Sequence, residues 1–172
     1  MALNAYLKIE GIKGESTATQ HKDEIDVMSF SWGVAQTGTV GGGGGSGTGK
    51  ASPQDFSFVL KVDKSSPLLL KACATGEHIK EATLTLARAG KEQTDYLKYK
   101  FEDIIISSFA PATDTAPVEG PSPHMGPAPH LSGADFAAGG AAIRLRKVEY
   151  SVVGADGKWV TFGFDFAENR VE

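Results

Sequence analysis

Val62-Asp63-Lys64-Ser65-Ser66-Pro67-Leu68-Leu69-Leu70-Lys71-Ala72-Cys73-Ala74 is the one stretch of the chain that reads as helix. Ser65 or Ser66 can cap its first turn, because a side-chain oxygen there accepts a backbone N–H that has no other partner. Pro67 suits the first helical position, where a missing N–H leaves nothing unsatisfied. Leu68, Leu69 and Leu70, then Ala72 and Cys73, supply an apolar surface, and Gly76 offers a left-handed stop. The pattern predicts one short helix over residues 66–74. Almost everything before and after it reads as strand or loop.

Upstream, Leu3, Ala5, Leu7 and Ile9 alternate with Asn4, Tyr6 and Lys8, the period of a half-buried strand. Residues 11–14 break it, and the polar run 15–22 reads as an exposed loop. Residues 24–33 read as a second strand, with Met28, Phe30 and Trp32 directed at the core and Ser29, Ser31 and Gly33 on the other face. That small, hydroxylated face suits a wall turned toward a lumen or a close neighbour, and Ser29 and Ser31 are its candidate lumen-facing residues. An ordinary solvated face fits the same pattern. Phe56, Phe58, Leu60 and Val62 share the inner face of a third strand.

Downstream, Ala82, Leu84 and Leu86 alternate with Thr83, Thr85 and Ala87, and Leu97, Tyr99 and Phe101 follow after a turn at residues 89–90. Glu102-Asp103 interrupts the alternation, and Ile104-Ile105-Ile106 resumes it in altered phase, which a bulge or bend explains. Residues 143–153 and 158–166 read as a hairpin across Gly154-Ala155-Asp156-Gly157, with Val160, Phe162, Phe164 and Phe166 forming an apolar face. Arg144, Arg146 and Lys147 make a short basic cluster. Its residues are either solvated strand charges or candidate inter-subunit partners for acidic groups on another copy of the chain.

Two stretches lack any period and are expected as flexible loops, at about 38–53 and 111–140. The first is a glycine tract. Gly44, Gly49 and Lys50 match G-x-x-x-x-G-K, but Ala51 stands where Ser or Thr should hold a metal, and Ser52-Pro53 leads into a strand instead of a helix. The pattern therefore argues against a phosphate-binding loop. The second is rich in Pro, Gly and Ala. It carries His124 and His130, without the Cys or carboxylates that would complete a metal site.

The 172 residues suit one domain with a sizeable core. A net charge of −4 implies no general affinity for nucleic acid or for anionic membrane. The single cysteine, Cys73, cannot form an internal disulfide and reads as a small buried hydrophobe. No N-terminal segment resembles a signal peptide, and no apolar run approaches the roughly 20 residues of a spanning helix. The chain is thus expected to fold in the cytoplasm, with any export following a route that ignores cleaved signals. His21, His78, His124 and His130 have no nucleophile motif beside them, and Asp55, Asp63 and Asp165 read as structural. No catalytic residue, metal or cofactor is expected.

Several blocks in order resemble one family. They are Gly11-Ile12-Lys13-Gly14-Glu15-Ser16, His21, Glu24-Ile25-Asp26-Val27 and Ser29-Phe30-Ser31-Trp32-Gly33, then the glycine loop and Asp55-Phe56-Ser57-Phe58. Val62-Asp63-Lys64-Ser65-Ser66-Pro67-Leu68, Tyr96-Leu97, Tyr150 and Gly163-Phe164-Asp165 complete the series. The chain resembles the haemolysin-coregulated protein (Hcp) family, the tube subunit of the bacterial type VI secretion system. The likeness is densest over residues 2–75. The loop at 111–140 is longer than the family usually carries, and the strand after it follows the family pattern poorly.

The resemblance implies a mainly β fold, two packed antiparallel sheets forming a small barrel in a single domain over residues 1–172, with the helix alongside. It implies a homohexameric ring that stacks into a tube and is expelled from the cell. The implied partners are further copies, the spike, the sheath and baseplate, and effector proteins sheltered in the lumen, and the implied subunit is not an enzyme. Two other readings fit the residues alone: a monomeric β-barrel carrier of a small ligand, and a hydrolase whose site is invisible in sequence.

Overall fold

A computed structural model describes residues 3–36, 38, 49–90, 92–113 and 138–172, and these form ten strands and one helix. They are β1 (Leu3–Ile9), β2 (Ile25–Ser31), β3 (Val34–Gln36), β4 (Ala51–Pro53), β5 (Phe56–Lys61), α1 (Ser66–Thr75), β6 (Ile79–Arg88), β7 (Thr94–Thr113), β8 (Ala138–Val153), β9 (Trp159–Asp165) and β10 (Arg170–Val171). Strands β8, β5, β2, β1, β6 and β7 follow one another around a sheet that the β7–β8 pairing closes into a six-stranded antiparallel barrel. The expected mainly β fold with one helix is what the chain adopts. Beyond the barrel, β9 and β10 extend the sheet from β8, while β3 and β4 pair only with each other.

The long β8 makes this arrangement possible. Along one edge it pairs with β7 from Ala138 to Val152. Its other edge is shared, with β5 taking the Ala138–Ile143 half and β9 the Lys147–Val153 half. The hairpin expected across residues 154–157 is β8–β9, with Val153 opposite Trp159. Strand sits at the margins of both expected loops, at residues 51–53, 111–113 and 138–140. Residues 39–48 and 114–137, including His124 and His130, fall outside the described residues.

The barrel is filled by side chains. Leu7, Ile25, Phe56, Leu69, Leu84, Phe101, Ile104 and Ile143 are all essentially inaccessible. Phe56 is central, with Phe58 and Phe101 each 4.8 Å away, Tyr99 at 5.2 Å, and Phe30 and Trp32 at 5.7 Å between ring centres. Such packed aromatic contacts stabilise beyond the area they bury. Val62, expected on the Phe56 face, lies past the end of β5 and is exposed.

Two phase changes differ from the simple alternation. In β2 the core residues are Ile25 and Val27, then Phe30 and Trp32. Val27 pairs with Leu60, whereas Ser29 pairs with Val59, so one extra residue, Met28, occupies a bulge. Met28 therefore does not share the Phe30 and Trp32 face, contrary to the sequence expectation. In β7 the slip at Asp103 involves no inserted residue, since Glu102 faces Lys147 and Ile104 faces Leu145 in one register. Asp103 instead takes a left-handed φ of 52°. The buried positions slip at the same level on the neighbouring strands, from Val148 to Leu145 in β8 and from Ala82 to Ile79 in β6. This is a bend carried across three strands.

Helix α1 packs against β7 through its buried Leu69 and Ala72. Gly76 ends it at φ 63°, with its N–H donating to Cys73 O and that of Glu77 to Ala72 O. The start differs from the expected serine cap. Ser65 holds the cap position but makes no side-chain capping bond. Asp63 organises the turn instead: its Oδ1 accepts from the Ser65 N–H and hydroxyl, and its Oδ2 from the Glu15 N–H at 3.1 Å. Ser66 Oγ accepts from the Asp63 N–H. A carboxylate therefore replaces the hydroxyl and also ties the helix to the first loop.

Candidate interaction surfaces

The loop at residues 15–22 is more than an exposed polar connection. His21 is only 5% exposed and lies flat on the Tyr6 ring, with centres 4.5 Å apart and planes 9° from parallel. Its Nδ1 is 3.0 Å from Glu24 Oε2 and its Nε2 is 2.9 Å from Asp95 Oδ1. The second contact reaches the start of β7, so the ring clasps the β1–β2 connection onto the barrel. The chain comes close beside it: a Cβ on Gly14 would stand 2.5 Å from Glu24 O, which requires glycine there. Composition alone marked this segment as loop because a single histidine in a polar run carries no periodic signal.

Ser29 and Ser31 are exposed on the outer face of β2. Pairing places Ser31 beside Ser57, Ala142 and Ser108 in turn, and Ser29 beside Val59, Gly140 and Ala110. The outer wall across β2, β5, β8 and β7 is therefore built of small, uncharged residues. Sequence reading found its first strand only, because the other contributors become neighbours through long-range pairing.

The basic cluster is already occupied within the chain. Arg144 Nε is 3.3 Å from Asp55 Oδ1. Arg146 reaches Asp165 at 3.4 Å and Glu168 at 3.7 Å, and Lys147 reaches Glu172 at 3.2 Å. Asp165 is fully buried, which by itself pushes its carboxyl up. The N–H donors of Glu168 and Ala167 and the Arg146 guanidinium outweigh that and hold it below the usual carboxylate range. Arg146 and Lys147 thus brace the end of β9 and the tail against β8, whereas Arg144 ties β8 to Asp55 ahead of β5.

The remaining surface is apolar. Phe166 belongs to the core, and Phe164 packs against it at 5.0 Å. The same face of β9 then emerges into solvent as Phe162, 52% exposed, and Val160, 64% exposed. Tyr150, opposite Phe162 on β8, is 37% exposed and stacks on Tyr99 at 4.7 Å. Burial and the neighbouring Tyr150 push the Tyr99 hydroxyl up. On its outer edge β9 is paired by β10 only at Phe164 and Asp165, so its Trp159 end is open among the described residues. The apolar face of β9 was legible in the sequence, but its exposure depends on what covers it.

Among the described residues no group of His, Cys, Asp and Glu is arranged to hold a metal ion, and no helix is long and apolar enough to cross a membrane. Lys50 is followed directly by β4, so no helix N-terminus follows the glycine tract.

The structure is a packed antiparallel barrel whose core continues, uncovered, along β9. The chain belongs to the Hcp family of type VI secretion proteins. The family profile "Type VI secretion system effector, Hcp" matches residues 6–125. Protein hcp1 of Pseudomonas aeruginosa is 44% identical over 109 residues, covering 63% of this chain and 67% of that protein. Among solved structures, Hcp1 from Salmonella typhimurium matches with a TM-score of 0.77 at 30% identity, covering 100% of both chains. A type VI secretion system effector from Yersinia pestis matches at 0.69 and 28% identity, over 94% of this chain and 98% of that one. The family is one of structural, secreted tube proteins and not of enzymes.

Proposed function

We propose that the chain is a tube subunit of the type VI secretion system, closing head to tail into hexameric rings that stack into a tube. The observation that supports ring closure best is the face of Tyr150, Val160 and Phe162. It continues the core outward and is exposed in the single chain, Val160 and Phe162 by more than half. Exposed apolar surface continuous with a core is what a neighbouring subunit covers, and the open β9 edge offers it backbone groups to pair with. A contact between two different patches closes a ring. The small, uncharged wall of Ser29 and Ser31 would then line the lumen, where effectors can pass or shelter. Arg144, Arg146 and Lys147 remain candidates for pairing with another copy, a pairing that would have to be shared with their present partners Asp55, Asp165 and Glu172. The spike, sheath and baseplate are the further partners, and export proceeds without a cleaved signal peptide. The carrier reading is disfavoured because Phe56, Leu84 and Phe101 already fill the barrel interior.

Light scattering on a size-exclusion peak, with negative-stain images of the same peak, tests ring formation. A mass six times the 18.1 kDa chain and annular particles are expected. The double variant Val160→Glu, Phe162→Glu should keep its circular dichroism and fall to monomer. A native chain that stays monomeric at high concentration would reject the ring. Ser31→Arg should leave the ring mass unchanged, because a lumen wall tolerates a long charge. Loss of the ring in Ser31→Arg would make that wall a subunit contact instead.

A further inference from the structure

A groove of about 970 Å³ lies between the β1–β2 connection and the start of α1, lined by none of the residues of the β8–β9 face. Its apolar floor comes from Ile12, Pro67 and Leu68. Leu68 is 42% exposed although it sits in the first turns of a packed helix. Four cations, Lys8, Lys13, Lys22 and Lys64, line the groove. None of them has a carboxylate partner among the described residues.

The other cations of the described surface are mixed: Lys71, Lys80 and Lys158 also have no ion pair, and Arg88 lies over the Tyr96 ring. Lys98, Lys100, Arg144, Arg146, Lys147 and Arg170 each stand against a carboxylate of the same chain. In a chain of net charge −4, four lysines without an ion pair are nonetheless gathered in one groove beside exposed Leu68. Three acidic residues also line the groove, but one of them, Glu24, is held by His21 Nδ1. Four lysines against Glu10, Asp23 and Glu24 leave the groove with one positive charge in excess. The groove is also held in shape. The Lys64 N–H donates to Glu15 Oε2 at 3.2 Å and the Glu15 N–H donates to Asp63 Oδ2 at 3.1 Å, tying helix start to loop.

We propose that this groove docks an acidic protein segment carrying a leucine-sized anchor. The anchor would lie on Ile12, Pro67 and Leu68, and flanking carboxylates would meet the lysine ammonium groups. Free lysines steer an acidic partner and fix its register, while the desolvated anchor supplies the holding energy. None of these residues belongs to the β8–β9 face, and the assembly mass of the variants below separates this docking from a contact between copies.

The test uses the full chain in its native assembly state and a fluorescein-labelled peptide of glutamates with leucines at helical spacing. Fluorescence anisotropy should show saturable binding that weakens as salt is raised, because Debye screening weakens exposed charge pairs. The charge-reversal variant Lys8→Glu, Lys64→Glu should weaken binding at least tenfold, and Leu68→Ser should do so severalfold. Replacing the peptide's leucines with serines should match the Leu68→Ser loss. Equal binding to the charge-reversed variant overturns the proposal, as does equal binding of the serine peptide. Comparable binding of oligothymidylate or of phosphatidylserine vesicles would make the site a general anion surface and overturn it too. If light scattering shows that Lys8→Glu, Lys64→Glu changes the assembly mass, the groove is a contact between copies and the peptide reading fails.

Discussion

Strands β5 and β9 occupy the same edge of β8, one after the other, and have opposite fates. Both alternate aromatic residues with small or polar ones. β5 is flanked on its second edge by β2, and its Phe56 and Phe58 are buried. β9 has only the two-residue β10 beyond it, and its Phe162 stands in solvent. The chemistry of the two strands is alike, so what separates them is cover. On β5 the barrel supplies the opposing wall. On β9 the wall ends at Phe164, and the face runs on toward a surface that the chain does not provide. An alternating strand specifies that one face must be covered, while topology decides whether the same chain covers it.

The largest expected effect breaks this comparison directly. Phe56→Ala removes a ring surrounded by five aromatic neighbours. It should cost about 3–5 kcal/mol of stability, the usual range for a truncated core aromatic. Phe162→Ala should cost well under about 1 kcal/mol, because a side chain already in water leaves no cavity. Urea denaturation should be run in the Val160→Glu, Phe162→Glu background for Phe56→Ala, so that assembly does not contribute to the measured stability. Phe162→Ala should be read at concentrations where the native chain is monomeric. Equal losses at the two positions would mean that β9 is covered within the single chain.

The clasp at His21 sharpens the comparison from the polar side. The β5 half is held by packing, whereas the start of β7 is tied to the first loop by one buried ring. His21→Phe keeps a ring to stack on Tyr6 but removes both contacts to Glu24 and Asp95. Hydrogen bonds to charged groups are worth about 1.5–3 kcal/mol, so a loss of about 2 kcal/mol is expected. Amide exchange should quicken over residues 15–24 before it does in β5. Unchanged exchange in His21→Phe would show that stacking alone holds the loop.

The barrel strands and the helix were legible because each carries a period: two along β1, β5, β6 and β9, and an apolar cluster between Pro67 and Gly76 in α1. Met28 was misread because a bulge changes phase without changing composition, and nothing local separates Met28 from Phe30. The Asp103 slip was visible, but its cause was not, since a left-handed φ and an inserted residue break an alternation alike. Ser65 does hold the cap position of the helix, but its hydroxyl is bonded to Asp63, whose second tie, to the Glu15 N–H, is distant in sequence. The small-residue wall was half seen from Ser29 and Ser31. Ser57, Gly140 and Ser108 join it only through pairings that no local window contains.

The smallest effect concerns two carboxylates on the contrasted parts of the sheet. Asp26, on β2 in the closed barrel, is pushed up by burial and by nearby Asp63, with Lys61 and Ser16 opposing. Asp165, at the end of β9, is buried too, but backbone donors and Arg146 hold it down. The signs are opposite. For Asp165 the unfolded chain binds the proton more tightly, so its stabilisation is present above about pH 3.9, the ordinary aspartate value, and is lost as pH falls through the lower folded value. For Asp26 the folded chain binds the proton more tightly. Stability therefore declines as pH rises from about 3.9 through its raised value. Asp165→Asn should lower the urea midpoint at pH 7, with the deficit shrinking in acid. Asp26→Asn should leave the midpoint at pH 7 unchanged or slightly raised, with the difference closing as the native Asp26 takes up its proton. Midpoints from pH 3 to 8 that move the same way in both variants would mean that burial alone governs both sites. The donors around Asp165 would then not distinguish the braced end of β9 from the barrel wall.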